Sequence, residues 1–467
     1  MMRSFAGFLA LAFFSMAAPA RAATVNLPSC AETNVKNAIS TASDGDVIVC
    51  PAGSWSWANV DIVNRNITLQ GAGIGQTNIS ITAPGGLEAT SSNTKAFRVT
   101  GFTFASTGNF STDNGKAMIR IQGGKGWRID HNRFEIYSSK TNYDGGNGIY
   151  TRNDVAGLID NNQFVKGGGS GCMHASTYPE GTGNTAWGWS SQLGSFEHTV
   201  FIEDNYFHSP NNCNNHNPHA AYGQNGGIYV FRHNEIHNMN VDSHGFCATY
   251  GTREWEISNN RWIQDTGNSL WAMMHMRGST GVIYGNSLTG GSVSHGIYWN
   301  EYRVSSNCGA NVTSNVPGHG SVSASSSCPS TEGYPCAQQI GRGQNNSSDP
   351  VYVWNNTNLE QMSWDPGTAP YIVQNRDFFM TGPKPGYTPY PYPHPLQNAG
   401  PPPPPPGSAC DVNSDGNANV SDVQLCVNQA IGLSACSADI NQDGSCNVID
   451  VQRVVNYALG GACNTSL

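Results

Sequence analysis

Three stretches set titratable and cationic side chains among apolar ones: Ser243-His244-Gly-Phe-Cys-Ala-Thr-Tyr250-Gly-Thr-Arg253, Met274-His275-Met-Arg277-Gly and His295-Gly-Ile-Tyr298-Trp-Asn-Glu301-Tyr-Arg303. Successive side chains of a β-strand point to opposite faces. In Ala272 to Arg277 this turns Met274 and Met276 inward and His275 and Arg277 outward. If the three stretches stack, His244, Arg253, His275, Arg277, Glu301 and Arg303 share one patch. Arginine pairs bidentately with a carboxylate, so such a patch suits an acidic sugar. β-Elimination on a uronic acid needs a group to neutralise the carboxylate, a base for the C5 proton and an acid for the leaving oxygen. Arg277 or Arg303 could neutralise and His275 or His244 could be the base. The plain alternative is a set of surface residues paired with Glu254, Glu256 or Glu301.

Trp187, Trp189 and Trp271, with Tyr250 and Tyr298, offer aromatic faces for sugar rings, and Trp299 either joins them or belongs to a core. A glycoside hydrolase would need two carboxyl groups ~5–9.5 Å apart. Asp242 and Glu301 are candidates, but no neighbouring pair stands out. His208, His216, His219 and Cys213 make only an irregular transition-metal set.

Two twelve-residue loops near the C-terminus carry different chemistry. One presents Asp411, Asn413, Asp415, Asn419 and Asp422 at positions 1, 3, 5, 9 and 12, and the other Asp439, Asn441, Asp443, Asn447 and Asp450. Gly416 and Gly444 hold position 6, and Asn417 and Ser445 hold position 7. Hard divalent cations take six to eight oxygens, and this spacing with a glycine for the sharp turn is the pattern that supplies them to calcium. Each loop runs into an amphipathic segment, expected helical over Val423 to Ile431 and Val451 to Leu459.

The elements that must position the first group follow from a repeated phrase. Trp127-Arg-Ile-Asp-His-Asn-Arg-Phe134 returns as Gly157-Leu-Ile-Asp-Asn-Asn-Gln-Phe164, Val200-Phe-Ile-Glu-Asp-Asn-Tyr-Phe207, Tyr229-Val-Phe-Arg-His-Asn-Glu-Ile236 and Trp255-Glu-Ile-Ser-Asn-Asn-Arg-Trp262. Shorter versions follow at Val282 to Leu288 and Val351 to Thr357. The closing apolar residues Phe104, Phe134, Phe164, Phe207, Ile236, Trp262 and Leu288 are spaced 30, 30, 43, 29, 26 and 26 apart. Such a period indicates a solenoid or a propeller, and coils this short hold three strands better than four. The reading is therefore an all-β, right-handed parallel β-helix, the hand following the preference of parallel crossovers. Asn at the turn tolerates positive φ, and Asn132, Asn162, Asn205, Asn234, Asn260 and Asn286 are expected to stack as a ladder about 4.8 Å per step. Insertions are expected at about Tyr178 to His198 and Ser305 to Asn346.

Composition agrees. Only 12% of residues are charged and the net charge is −9, which argues against nucleic acid. A basic start, an apolar run from Phe5 to Met16 and Ala20-Arg21-Ala22 read as a signal peptide over 1–22 and a secreted, disulfide-permitting setting. The β-helix is expected over 24–386, a proline-rich spacer over 387–408 and the calcium module over 409–464. Cys30 with Cys50, Cys410 with Cys463 and Cys426 with Cys436 are the expected bridges, with Cys308, Cys328 and Cys336 stapling the second insertion.

From Thr24 to Met380 the chain resembles the pectate-lyase-like β-helix superfamily, carried by the Glu32 to Ala42 helix, Asp44-Gly-Asp-Val-Ile-Val-Cys50, Asn66 to Gly75 and the Asn phrases. The resemblance implies that the first helix plugs the open core. It does not fix activity, because that superfamily holds lyases, hydrolases, epimerases and tailspikes. The acidic clusters by which calcium-dependent members hold a catalytic metal are not found here. The two loops resemble a type I dockerin, which implies a cohesin-bearing scaffold or cell-surface partner. Val420-Ser421 and Val448-Ile449 depart from the Ser-Thr pair of that family. The expected function is polysaccharide lyase, with a glycoside hydrolase or a non-catalytic carbohydrate-binding protein as alternatives.

Overall fold

The structure is a computed structural model, and it describes residues 22–92, 95–108, 117–137, 147–168, 175–182, 193–210, 218–244, 251–300, 312–316, 320–324, 339–359, 362–364, 371–398, 410, 412, 420–441, 443–458 and 463. The repeated phrases stack as a parallel β-helix of three sheets. Sheet A holds the phrase strands, from Thr24–Asn26 and Val47–Val49 through Val200–Glu203, Ile228–Arg232 and Glu254–Ser258 to Phe378–Phe379. Sheet B follows the Asn turn, from Gly53–Trp57 through Arg133–Ile136, Gln163–Lys166 and Glu235–His237. Sheet C runs from Val60–Val63 and Leu87–Thr90 through Ala175–Pro179, His219–Gly223 and Asn240–Ser243 to Met362–Trp364. All these ladders are parallel, while Val312–Val316 and Gly320–Ala324 form a separate antiparallel hairpin.

The Asn ladder forms and runs one step further than expected. Each side-chain amide donates to the Oδ1 of the next coil, Asn132 to Asn162 at 3.2 Å, Asn162 to Asn205 at 3.1 Å and so on through Asn260 to Asn286 at 2.9 Å, ending on Asn356 at 2.9 Å. The same Oδ1 atoms accept backbone N–H groups, as Asn162 does from Asn132 at 3.0 Å. The expected left-handed conformation belongs to the preceding residue instead. His131, Asn161, Asp204, His233, Asn259, Gly285 and Asn355 have φ between 51° and 66°. That residue makes the corner, which frees the ladder Asn to turn inward and satisfy buried carbonyls. Beneath the ladder the rings of Phe104, Phe134, Phe164 and Phe207 stack at 5.5, 4.8 and 4.9 Å. Each buried ring contributes about 1.5–3 kcal/mol.

The helix Glu32–Thr41 buries Val35, Ala38 and Ile39 against the first coil, and Cys30 bridges Cys50 as expected. The spacer reading needs correction. Residues 387–398 lie docked along sheet A: Tyr390 and Pro391 carbonyls accept from Arg232 at 2.7 and 2.8 Å, His394 N–H donates to Glu203 at 2.8 Å, and the Leu396 carbonyl accepts from Arg128 at 2.9 Å. The six prolines lie outside the described residues. The first insertion also starts later than expected, because Tyr178 is within the sheet C strand Ala175–Pro179.

In the C-terminal module the helices are Val420–Ala430 and Val448–Ala458, each starting three residues before its expected onset. The loop ends already form the first helical turn, with Asp422 and Asp450 at the positive end of the helix dipole. Cys410 bridges Cys463 as expected, but Cys436 pairs with Cys446 and leaves Cys426 as a buried thiol. Cys426 is on the inner side of its helix within the module core, whereas Cys446 is in the second loop.

Candidate active site

Sheet C assembles the polar residues. Its register carries one outward column along the solenoid: Asp61, Glu88, Arg120, Tyr150, Tyr178, then Tyr222, Asp242, His275, Tyr298 and Ser363. The alternate positions between them go inward, and Met274, Met276 and Trp299 are fully buried. Trp299 thus belongs to the core. Two residues further along each strand stand Glu180, Gln224, His244 and Arg277, with Glu180 bridged to Gln224. Coils advance about 4.8 Å each, so the two columns form a continuous strip.

At one end of this strip lies a tight charge cluster. Arg277 donates to Asp242 at 3.0 Å and meets His275 at 3.0 Å and His244 at 3.2 Å. His275 Nδ1 is also 3.3 Å from Asp242. Asp242 is 0% exposed, and His275 and Arg277 are 7% and 8% exposed. Burial alone would raise the Asp242 carboxyl, yet Arg277, His275 and His244 hold it below the usual carboxylate range. Burial and then Arg277 push the His244 imidazole well below its usual value, so the ring is neutral at neutral pH. Tyr222 Oη hydrogen-bonds His244 Nδ1.

Aromatic rings flank the cluster on both sides. Trp271 is 42% exposed, with its ring centroid 5.0 Å from His275, 5.4 Å from His295 and 4.6 Å from Tyr298. On the other side Tyr150, Tyr178 and Tyr222 follow one another at 5.4 and 4.9 Å. Glu180 sits beside them, accepting from the Tyr150 hydroxyl and from Asn225 at 2.5 Å. Burial raises its carboxyl to about 7, opposed only by the Asn225 hydrogen bond.

Of the expected site residues, His244, His275 and Arg277 come together, and Trp271 and Tyr298 join them. Arg253 does not. It is buried at the corner where the chain enters sheet A, ion-paired with Glu254 at 3.3 Å, and is only 1% exposed. Glu301, Arg303, Tyr250, Trp187 and Trp189 lie outside the described residues. Sequence reasoning missed Tyr150, Tyr178, Tyr222, Glu180 and His295. The signal for them was an outward tyrosine in strand after strand, but its spacing of 28 and then 44 residues hides the column.

The second acidic loop is described from Asp439 to Asn441 and from Asp443 to Asp450, and the first is described only at Val412 and from Val420 onward. Gly444 takes φ +90°, the turn expected at position 6. Asp439 accepts the N–H groups of Asp443 and Gly444 at 3.1 and 2.9 Å, and Asp450 accepts those of Ile440, Asn441 and Asn447 at 2.8, 3.2 and 2.8 Å. The loop therefore curls around its own carboxylates.

No protein-family model matches the chain, and no curated protein matches it. Solved structures that match include alginate lyase from Paenibacillus sp. str. FPU-7, at 13% identity over 58% of this chain and 97% of that one, TM-score 0.35. A pectin methylesterase in complex with hexasaccharide VII matches at 9% identity over 76% and 96%, TM-score 0.33. The family 28 exopolygalacturonase of Yersinia enterocolitica matches at 9% identity over 59% and 76%, TM-score 0.26. At scores this low the likeness carries no weight, and fold and chemistry rest on the ladders and side chains described above.

Proposed function

We propose that the outer face of sheet C cleaves a uronic-acid-containing polysaccharide by β-elimination. The observation that supports this is the buried Asp242–Arg277 pair with two imidazoles within 3.4 Å, set in a strip of aromatic rings along the solenoid. Asp242 orients Arg277, and Arg277 offsets the substrate carboxylate and so acidifies C5–H. His244, kept neutral, accepts the C5 proton. The C–H electron pair becomes the C4=C5 double bond, and the C4–O bond breaks. The leaving oxygen takes the Tyr222 proton, and the proton on His244 returns to Tyr222 across their hydrogen bond. Trp271 and Tyr298 hold sugar rings by stacking. In this reading the chain is exported, and the β-helix has the right-handed sense of parallel crossovers.

Polygalacturonate, alginate and glucuronan test the reading through the ultraviolet absorbance of the unsaturated product. Arg277→Lys keeps the charge but not the fork, and it is expected to lower turnover by about a hundredfold or more. An unchanged rate removes Arg277 from the chemistry. New reducing ends without that absorbance would support a hydrolase with Asp242 as one of its two carboxyl groups. That is the second reading, because Asp242 is already taken up by Arg277 and His275.

We also propose that Asp439, Asn441, Asp443, Asn447 and Asp450, with the Ser445 carbonyl, hold calcium in a dockerin-like module. The first loop, with Asp411, Asn413, Asp415, Asn417, Asn419 and Asp422, would hold a second ion. Val420 and Val448, at position 10 of the loops, are 79% and 75% exposed, an apolar surface suited to a cohesin-like partner. Calorimetric titration of the full chain is expected to give two calcium ions, and Asp443→Ala one. Equal stoichiometry in both would remove the second loop as a site.

A further inference from the structure

Resting on the uronate reading above, we infer that the sheet C site takes the end of an acidic polysaccharide rather than its interior, because the face is closed on one side of the charge cluster and open on the other. The closed side is the N-terminal one. Tyr150, Tyr178 and Tyr222 stand in the outward column, yet none of them is more than 7% exposed. A side chain on the outer face of a sheet is met by solvent unless something covers that face. Glu180 and Gln224, in the second column, are buried as well, so both columns are closed over the same coils.

The closed stretch is tied together from within. The rings of Tyr150, Tyr178 and Tyr222 tilt against one another by 50° and 43°, at 5.4 and 4.9 Å. Glu180 accepts from the Tyr150 hydroxyl and from Asn225, and the Thr177 hydroxyl donates to the Ala220 carbonyl at 2.8 Å. Prising these coils open strands buried polar groups at about 1–3 kcal/mol each, so the wall stays when a chain binds. On the C-terminal side the column remains in contact with water. Tyr298 and Ser363 continue it and are half-buried, as is His295, and Trp271 is 42% exposed.

The groups assigned to proton transfer sit at the boundary. Tyr222 is the last closed residue, and His244, one coil on, is half-buried and hydrogen-bonded to it. Coils advance about 4.8 Å each, so a chain lying over Trp271 and Tyr298 meets the wall about one or two sugars beyond the bond to be broken. The interior of a polymer would have to continue through the closed coils, whereas an end stops there. Elimination fixes what each fragment carries. The sugar that loses its C5 proton keeps the new double bond, and the sugar that departs with the bridging oxygen becomes a saturated reducing end. The short product is therefore unsaturated if the wall faces the reducing end of the polymer, and saturated if it faces the non-reducing end.

The experiment follows ultraviolet absorbance and solution viscosity together while the full chain digests long polygalacturonate, alginate and glucuronan, and sizes the products by chromatography. Absorbance is expected to grow while viscosity falls only in step with the mass released, and a product of about one or two sugars should be present from the first time point. A ladder of long fragments with an early collapse of viscosity overturns the inference and leaves the elimination standing. If no unsaturated product forms, calorimetric titration with the same acidic polymers at two chain lengths decides. Saturation set by the number of chains, whatever their length, keeps the chain-end site and removes the elimination. Saturation set by the number of sugars, or no binding, overturns the inference.

Discussion

Sheets A and C of the same coils both bury arginine–carboxylate pairs on their outer faces, yet the pairs are finished differently. On sheet A, Arg98 meets Asp130, Arg128 meets Asp160 at 2.7 Å and Arg232 meets Glu203 at 2.6 Å. The docked C-terminal segment completes the last two pairs: the carbonyls of Tyr390 and Pro391 accept from Arg232, the Leu396 carbonyl accepts from Arg128, and the N–H of His394 donates to Glu203. On sheet C, Arg277 gives its remaining donors to His244 and His275. A backbone carbonyl cannot exchange a proton at any working pH, whereas an imidazole can. A buried ion pair is thus weak evidence for a functional site by itself. The chemistry of the groups that complete its hydrogen bonds separates a sealed face from a reactive one.

Paired substitutions should break or sharpen that contrast most strongly. Arg277→Met is expected to lower the rate of unsaturated-product formation by about a thousandfold. Arg232→Met should leave that rate within about twofold while lowering the unfolding free energy by about 3–5 kcal/mol, the cost of stranding a buried partner. Initial rates and denaturant unfolding on both variants are the measurement. Loss of turnover in Arg232→Met would mean that sheet A takes part in the site. The stability cost of Arg277→Met should also shrink as pH falls, because His244, no longer opposed by Arg277, can then take up a proton beside Asp242.

The sealed face has its own pH response. Burial, then Arg232 and Arg128, lower the His394 imidazole from 6.5 to about 3. The folded segment therefore excludes a proton that the undocked segment binds. Its contribution is full above pH 6.5 and is lost as pH falls toward 3, on the order of 5 kcal/mol in all. Hydrogen exchange of residues 384–398 should accelerate over that interval. His394→Phe fits among Phe196, Phe201 and Tyr390 and should keep the segment protected in acid. Equal acid release in the variant would assign the effect to Glu203 instead.

The two faces also differed in how far the sequence disclosed them. The β-helix was legible because each coil writes its corner locally: a residue tolerant of positive φ, the ladder Asn, then the core ring, as in His131-Asn132-Arg133-Phe134. His275 and Arg277 were legible because they alternate with Met274 and Met276 within one strand. The tyrosine strip was not, since Tyr178 faces Tyr222 only through strand pairing across an insertion of unequal length. Docking of residues 387–398 was hidden for a similar reason. Its partners Arg128, Glu203 and Arg232 are remote in sequence, and proline richness alone reads as a spacer. Cys436 could have paired with Cys426 or Cys446 on spacing, and only the packing of the first helix decides it.

The smallest expected effect tests whether the open end of sheet C binds sugar at all. Trp271 is 42% exposed, so Trp271→Ala should change the unfolding midpoint little. Its ring makes T-shaped contacts with His275 and His295 and a tilted one with Tyr298. A sugar stacked there gains about 0.5–1.5 kcal/mol beyond its buried area, so KM should rise by about tenfold in the variant. The rate constant kcat should change little, because Trp271 touches His275 and not the His244–Tyr222 pair assigned to the proton transfers. A fall in kcat at constant KM would instead mean that Trp271 positions His275, and it would move the base from His244 to His275.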